Sequence, residues 1–278
     1  MTSANGSDSS RKAVLVTGAS SGIGRAIAQH LAAQGWRVFG TSRGARSGKP
    51  PAGVEMIALD VDDDASVTRG VALVLERAGR LDAVINNAGS AIMGAVEDTN
   101  LEEARAQMET NFFGVLRVCR AVLPAMRRQK RGHIVNISSL SGIFGTPFSG
   151  LYSASKFAVE GMSEALRFET RKLGIRVVLI EPGDHRSELA ANRRTVKAAT
   201  TNAAYRDAFA RFKANQEKDE ANAPPPDAVA KLVEKVLADL SPKPRYTVGL
   251  LGQRIVVPLR RLLPGKLFDA IVGKAIGM

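Results

Sequence analysis

The sequence predicts a single α/β domain, a doubly wound parallel sheet with helices on both faces. Three observations carry that expectation. Compact apolar runs alternate with stretches of helical periodicity about six times, the pattern of parallel strands joined by crossover helices. A glycine-rich turn joins the first apolar run directly to the first helical stretch. Gly18, Asn87, Ser139 and Pro182 each fall at the end of an apolar run, and open α/β sheets bind ligands at that carboxyl edge.

Residues 13–17 read as a buried strand, and Gly18-Ala-Ser-Ser-Gly22-Ile-Gly24 follows at once. Residues 25–34 then carry apolar side chains at helical spacing and stop at Gly35. Such a strand, glycine turn and helix can hold a phosphate: glycines admit close approach, and helix-start N–H groups and the dipole favour an anion. The spacing here is Gly-x-x-x-Gly-x-Gly rather than Gly-x-Gly-x-x-Gly. Residues 36–41 form the second strand, whose end meets the adenosine ribose in a dinucleotide-binding sheet. An acid there would repel a 2′-phosphate; this chain has Ser42 and Arg43, with Arg46 and Lys49 close behind. A guanidinium grips phosphate, so NADP(H) is expected ahead of NAD(H).

The third strand, 54–60, ends at Asp60 and Val61, where an adenine can rest; residues 62–65 cap a helix over 66–78. Strand 81–85 ends in Asn86-Asn-Ala-Gly89, whose small polar groups can line a cleft. Residues 101–130 show one long helical periodicity with Asn111 inside, a residue that in mid-helix marks the surface or a local kink. Strand 132–138 begins at His133, far from the carboxyl edge, so that histidine is structural. Helix 151–173 is stopped by Gly174, and strand 175–180 leads into Glu181-Pro-Gly-Asp-His-Arg-Ser187. Residues 188–225 form a lid region, helical through 223 and broken by Pro224-Pro-Pro226; helix 228–240 and edge strand 245–248 follow.

Composition narrows the function classes. Apolar residues make up 45% of the chain and charged ones 24%, as in ordinary soluble globular proteins. Cys119, the single cysteine, forbids an internal disulfide and reads as a core thiol. A reducing cytoplasm fits, with membrane association through the carboxyl end as an addition. The net charge is +12, yet the basic residues are spread along the chain and aromatics are 5%, so no nucleic-acid partner is expected. No metal site is expected. Residues 1–10 read as a disordered tail without the pattern of a signal peptide, and no apolar run reaches membrane-span length.

Ser139, Tyr152 and Lys156 form a candidate proton-transfer set. Tyr152 and Lys156 sit one helical turn apart and share a face. A cation beside a phenol favours phenolate, so the expected effect is a Tyr152 pKa lowered toward working pH. The phenol then serves as general acid or base for an alcohol or carbonyl, and the Ser139 hydroxyl can hold the substrate oxygen.

Thr17-Gly-Ala-Ser-Ser-Gly-Ile-Gly24, Asn86-Asn-Ala-Gly89, Asn111, Ser139, Tyr152-x-x-x-Lys156 and Pro182-Gly183 together resemble the short-chain dehydrogenase/reductase family. The resemblance covers residues 11–190 closely and is nearest to the steroid and retinol dehydrogenase-like branch. It implies a Rossmann-type domain over 11–249 and an NADP(H)- or NAD(H)-dependent oxidoreductase acting on a lipophilic ketone, aldehyde or alcohol. It implies that Tyr152 exchanges the proton, Lys156 lowers its pKa and binds the nicotinamide ribose, Ser139 orients the substrate, and Asn111 holds a relay water. Cofactor contacts are implied at Gly18, Ser20, Ser21, Gly22, Ile23, Gly24, Arg43, Asp60, Val61, Asn87, Ala88 and Gly89. Tyr152, Lys156, Pro182 and Gly183 complete them, with Ser187 standing where the family often has Thr. A homodimer or homotetramer is implied, with helices 101–130 and 151–173 as the interface. The alternative reading is a cofactor-binding redox sensor without turnover.

Substrate choice falls to 91–96, 140–148 and the segment after Gly183. Ile92, Met93, Phe144 and Phe148 suggest an apolar pocket, with Ser139 and His185 as polar contacts. Residues 250–278 form an apolar extension carrying Arg254, Arg260, Arg261, Lys266 and Lys274 against Asp269, and Pro258 and Pro264 forbid one long helix. It can pack on the domain, cover the cleft or touch an anionic membrane.

Overall fold

The computed structural model describes residues 11–44, 50–186 and 193–275. Strands β1 (Ala13–Val16), β2 (Arg37–Ser42), β3 (Val54–Ala58) and β4 (Ala83–Asn86) build one half of the sheet. A short β5 (Ile92–Met93) leaves it, and β6 (Gly132–Ile137) and β7 (Ile175–Pro182) extend it. Then β8 (Arg194–Thr195) pairs with β5 in a separate small sheet, and β9 (Arg245–Val248) closes the edge. The main sheet has seven strands in the order β3-β2-β1-β4-β6-β7-β9, all parallel. The chain winds outward from β1 to β3, returns, and winds outward again from β4. That reversal opens a crevice beyond the carboxyl ends of β1 and β4. The fold is the single Rossmann-type domain that the alternating pattern predicts.

Alternation along each strand supplies both faces. Ala13 and Leu15 of β1 pack with Phe39, Val118, Met126 and Ile134 on one side. Val14 and Val16 pack with Ile27, Leu31, Val229 and Val233 on the other. A strand buried on both faces reads as a continuous apolar run, which is how β1 looks in the sequence. Each such Leu or Ile contributes about 1.5–3 kcal/mol by leaving water. The helices are α1 (Gly22–Ala33), α2 (Asp64–Ala78), α3 (Leu101–Met108), α4 (Gly114–Gln129) and α5 (Gly150–Thr170), followed by helices Arg206–Ala221 and Asp227–Ala238. Asp63 caps α2 by accepting from Ser66 N, as the acidic run before it predicts.

Two expectations change and one is met. The long helix over 101–130 is two helices joined by a π turn, Glu109–Phe113, with Asn111 buried inside it. Among the described residues of the lid the helix is Arg206–Ala221, and Arg194–Thr195 is extended. The carboxyl extension forms short helices Leu251–Arg254, Val256–Leu262 and Gly265–Ala275, with Pro264 at the last break. Its Phe268 is buried edge-on against Phe144, with ring centroids 6.0 Å apart, so the extension packs on the domain. The tail 1–10 lies outside the described residues.

Candidate active site

The turn after β1 is shaped by what its neighbours leave no room for. Gly18 and Gly22 adopt φ of 65° and 52°, the left-handed region that glycine enters without strain. A Cβ on Gly24 would sit 2.3 Å from both Asn87 Nδ2 and the Gly18 carbonyl oxygen. The Thr17 hydroxyl accepts the backbone N–H groups of Asn87 and Ala88, each at 3.0 Å. Asn87 Nδ2 in turn donates to the carbonyls of Thr17 and Gly18 at 3.0 and 3.3 Å. Neutral hydrogen bonds thus lock the ends of β1 and β4 together and hold Gly18, Ser20, Ser21, Gly22, Ile23 and Gly24 at the start of α1. The Ser21 side chain makes no capping bond there. A close-approach backbone at a helix start fits the diphosphate of a dinucleotide.

At the ribose end, Arg43 is exposed just beyond β2; Arg46 and Lys49 lie outside the described residues. Asp60 Oδ1 accepts from Asp62 N at 3.1 Å, and Val61 is buried against Gly114. Burial raises the Asp62 carboxyl above its usual range; the Thr110 hydroxyl bond opposes this, the Asp60 charge adds to it, and Arg43 opposes it. Arg43 is therefore near enough for its charge to be felt at the end of β3.

At the other rim, Ser139 lies two residues beyond β6, and its Oγ accepts from Ser141 N at 3.1 Å. Tyr152 lies in the first turn of α5, beside Ser139. Lys156 is buried and donates from Nζ to the Ile137 carbonyl at 2.9 Å, and Nζ stands 5.7 Å from the Tyr152 ring centroid. The expected acidification of the phenol is reversed. Burial raises the Tyr152 pKa, and a bond from Ser139 and the charge of Arg193 only partly oppose it, while Asp184 adds to the rise. Burial also pushes Lys156 down to about 8, against the pull of Glu160. The same desolvation that brings the pair together disfavours both charged forms.

Asn111 is wholly committed to protein groups. Its Oδ1 accepts from Ser90 N at 2.8 Å, and Nδ2 donates to Ser90 O and Ser155 Oγ, each at 3.0 Å. Ser155 Oγ donates to the Tyr152 carbonyl at 2.7 Å. Asn111 thereby ties the Gly89-Ser90 turn to the start of α5. A Cβ on Gly89 would come 3.3 Å from Asn111 Oδ1.

Sequence reasoning missed the group behind Lys156. Glu160, one turn further along α5, accepts from Arg245 Nε at 3.0 Å. Arg245 also reaches Glu164 at 3.3 Å and lies 3.7 Å from buried Glu181. Thr247 donates to Glu181 at 2.9 Å, and burial, then Glu160, raises the Glu181 pKa. Glu160 four residues after Lys156 was a visible signal; its cation, 85 residues away, was not.

The apolar positions divide. Ile92, Met93 and Phe148 are buried with Val196, Phe209 and Phe212 in a small core under helix Arg206–Ala221. Phe148 meets the rings of Phe209 and Phe212, each at 5.6 Å. Phe144 instead lines a groove of about 320 Å³ with Pro147, Phe157, Arg260, Phe268 and Val272. Buried His185 sits with Nδ1 3.0 Å from Gly183 O, and its Nε2 is without a hydrogen-bond partner. The turn after Pro182 is backed by the extension: a Cβ on Gly183 would meet Gln253 Oε1 at 2.3 Å. Gln253 donates to Asp184 at 2.7 Å, and Gln216 of the lid helix donates to the same carboxylate at 3.3 Å. Ser187 lies outside the described residues. His133 is half-buried at the start of β6 with a lowered pKa, and Cys119 is a core thiol pushed up to about 12, both chiefly by burial.

A Rossmann sheet with a phosphate-sized glycine turn at its crevice and a hydroxyl–phenol–ammonium set on the same rim defines a nicotinamide-dependent oxidoreductase. The chain belongs to the short-chain dehydrogenase family, whose description, short chain dehydrogenase, is that of the family model matching residues 12–198. It is 42% identical over 256 residues to a 3-ketodihydrosphingosine reductase of Bacteroides thetaiotaomicron, covering 92% of this chain and 94% of that one. A crystallised short-chain dehydrogenase from Streptomyces avermitilis superposes with a TM-score of 0.79 at 34% identity, covering 95% and 94%. The actinorhodin polyketide ketoreductase, solved with NADPH, does so at 0.71 and 29%, covering 87% and 97%. The protein is thus an oxidoreductase acting on CH–OH groups, and its solved structural neighbours include complexes with NADP and with NAD.

Proposed function

We propose that the protein reduces a lipophilic, long-chain ketone with NADPH, Tyr152 delivering the proton to the carbonyl oxygen. The observation that carries this reading is the Tyr152 phenol beside Ser139, with the Lys156 ammonium anchored behind it on Ile137. A phenol kept neutral by burial is in the right form to donate. Ser139 would hold the substrate oxygen, and Lys156 would stabilise the phenolate left behind. Asn111 acts on this set through Ser155 and Ser90, holding the start of α5 in place.

Gly18 to Gly24, Asp60, Val61, Asn87 to Gly89, Pro182 and Gly183 would hold the dinucleotide, and Arg43 would take a 2′-phosphate. When bound, the nicotinamide supplies the hydride for the carbonyl carbon. The name of the Bacteroides relative, a 3-ketodihydrosphingosine reductase, supports a lipid ketone. Exposed Phe113, Phe157 and Phe168 on the π turn and α5 support self-association through the two long helices.

A screen of long-chain ketones, including 3-ketodihydrosphingosine, followed by NADPH absorbance tests the reading. Turnover of a long-chain ketone is expected. Tight NADPH binding with no turnover on any ketone would favour a sensor. Arg43→Asp should weaken NADPH binding by about tenfold or more while leaving NADH little changed. Equal losses for both would reject the phosphate contact.

A further inference from the structure

Residues 250–275 expose large aliphatic side chains interleaved with cations. Leu250, Leu251, Ile255, Leu262, Leu267 and Ile271 are each between 41% and 79% exposed. Between them stand exposed Arg254, Arg260, Arg261, Lys266 and Lys274, with Asp269 as the one acid of the stretch. Among the described residues none of these five cations comes within 4 Å of a carboxylate oxygen, although Arg260 lies 5.1 Å from the Phe268 ring centroid and the charge of Arg261 is felt at buried Glu181.

Helix Gly265–Ala275 shows why the apolar surface is more than the domain needs. Phe268 and Val272, one turn apart, are buried toward Phe144. Leu267 and Ile271, also one turn apart, lie beside them on the same helix and remain exposed. The apolar arc is thus wider than the face the domain covers. No helix among the described residues is long and apolar enough to cross a membrane. A surface of large aliphatics interleaved with cations matches the headgroup layer of an anionic bilayer, apolar side chains entering the acyl boundary and cations meeting phosphates. A second copy fits less well. A two-fold contact sets the same patch against itself, and five cations would face five cations.

We propose that residues 250–275 dock this protein on an anionic lipid surface. The segment also walls the groove lined by Phe144, Pro147, Phe157 and Phe268, so docking would bring an apolar opening to the bilayer. The docking stands on this surface alone and does not depend on which ketone is reduced.

Flotation of the full chain with phosphatidylglycerol-containing vesicles, beside pure phosphatidylcholine vesicles, tests it. The wild type should float with the anionic vesicles, at least about tenfold more than with neutral ones, and high salt should weaken binding. Leu251→Glu with Leu262→Glu should cut vesicle binding by about tenfold or more, with unchanged thermal midpoint, particle mass and turnover of a water-soluble ketone. Lys266→Glu with Lys274→Glu is the second variant, should the first misfold, and should remove the preference for anionic vesicles. Wild type that fails to float, variants that float equally, or a leucine variant that falls to a smaller particle would each overturn the proposal, the last by assigning the patch to a second copy.

Discussion

The two halves of the sheet's carboxyl rim are held by different forces. Around Gly18 to Gly24 the ties are mainly neutral: one threonine hydroxyl, one asparagine amide and backbone groups, with the Arg25 guanidinium reaching only the Ser20 carbonyl, at 3.4 Å. Around Tyr152 and Lys156 the support is charged: Glu160, Glu181, Arg245, Arg193 and Asp184 all act on the pair or on one another. The first half works by shape and the second by charge. Steric substitutions should therefore damage the first at every pH, and charge substitutions should damage the second in a pH-dependent way.

The largest effect expected on that contrast is Gly24→Ala. The new methyl collides with backbone as well as with Asn87, so the turn must open. Overpacking of this kind costs about 1–3 kcal/mol, and NADPH affinity should fall by an order of magnitude or more. Unchanged affinity by titration calorimetry would show that the turn is not a binding surface.

Next comes pH. Lys156 titrates at about 8 in the folded chain, from an ordinary 10.5, so its ammonium is lost as pH rises through that value. Ketone reduction should decline above about pH 8 if that charge supports the phenolate. Between that pH and 10.5 the unfolded chain binds the extra proton, so this group makes folding more favourable as pH rises. Glu160→Gln removes the charge that holds Lys156 up and should move the alkaline limb to lower pH. A limb that stays in place in a stopped-flow pH series would separate Glu160 from the lysine. Ser155→Ala should do least. It leaves one donor of Asn111 unpaired in a buried site, for a loss of about 1–3 kcal/mol in denaturant titrations with a small change in KM. A collapse of kcat at unchanged stability would place Ser155 in the chemistry instead.

The same contrast explains what the sequence made legible. The glycine turn is local: strand, turn and helix are adjacent in the chain, and the residues quoted for it stand together in space. The Tyr152–Lys156 pairing was legible for the same reason, but its electrostatics were not. Spacing places a cation near a phenol; it says nothing of the burial that disfavours both charges. Glu160 and Arg245 meet across 85 residues, beyond any local pattern. Ile92, Met93 and Phe148 show a different limit, because apolar side chains look alike in a pocket and in a core; only Phe209 and Phe212, far along the chain, show them buried as core. The π turn at Asn111 keeps helical periodicity on both sides, and so it reads as one helix.

The most direct test of the account is single-turnover ketone reduction by Tyr152→Phe, with NADPH binding measured alongside. The rate should fall by about 10²- to 10⁴-fold with NADPH affinity and thermal midpoint retained. A variant that reduces the ketone at the wild-type rate would contradict it.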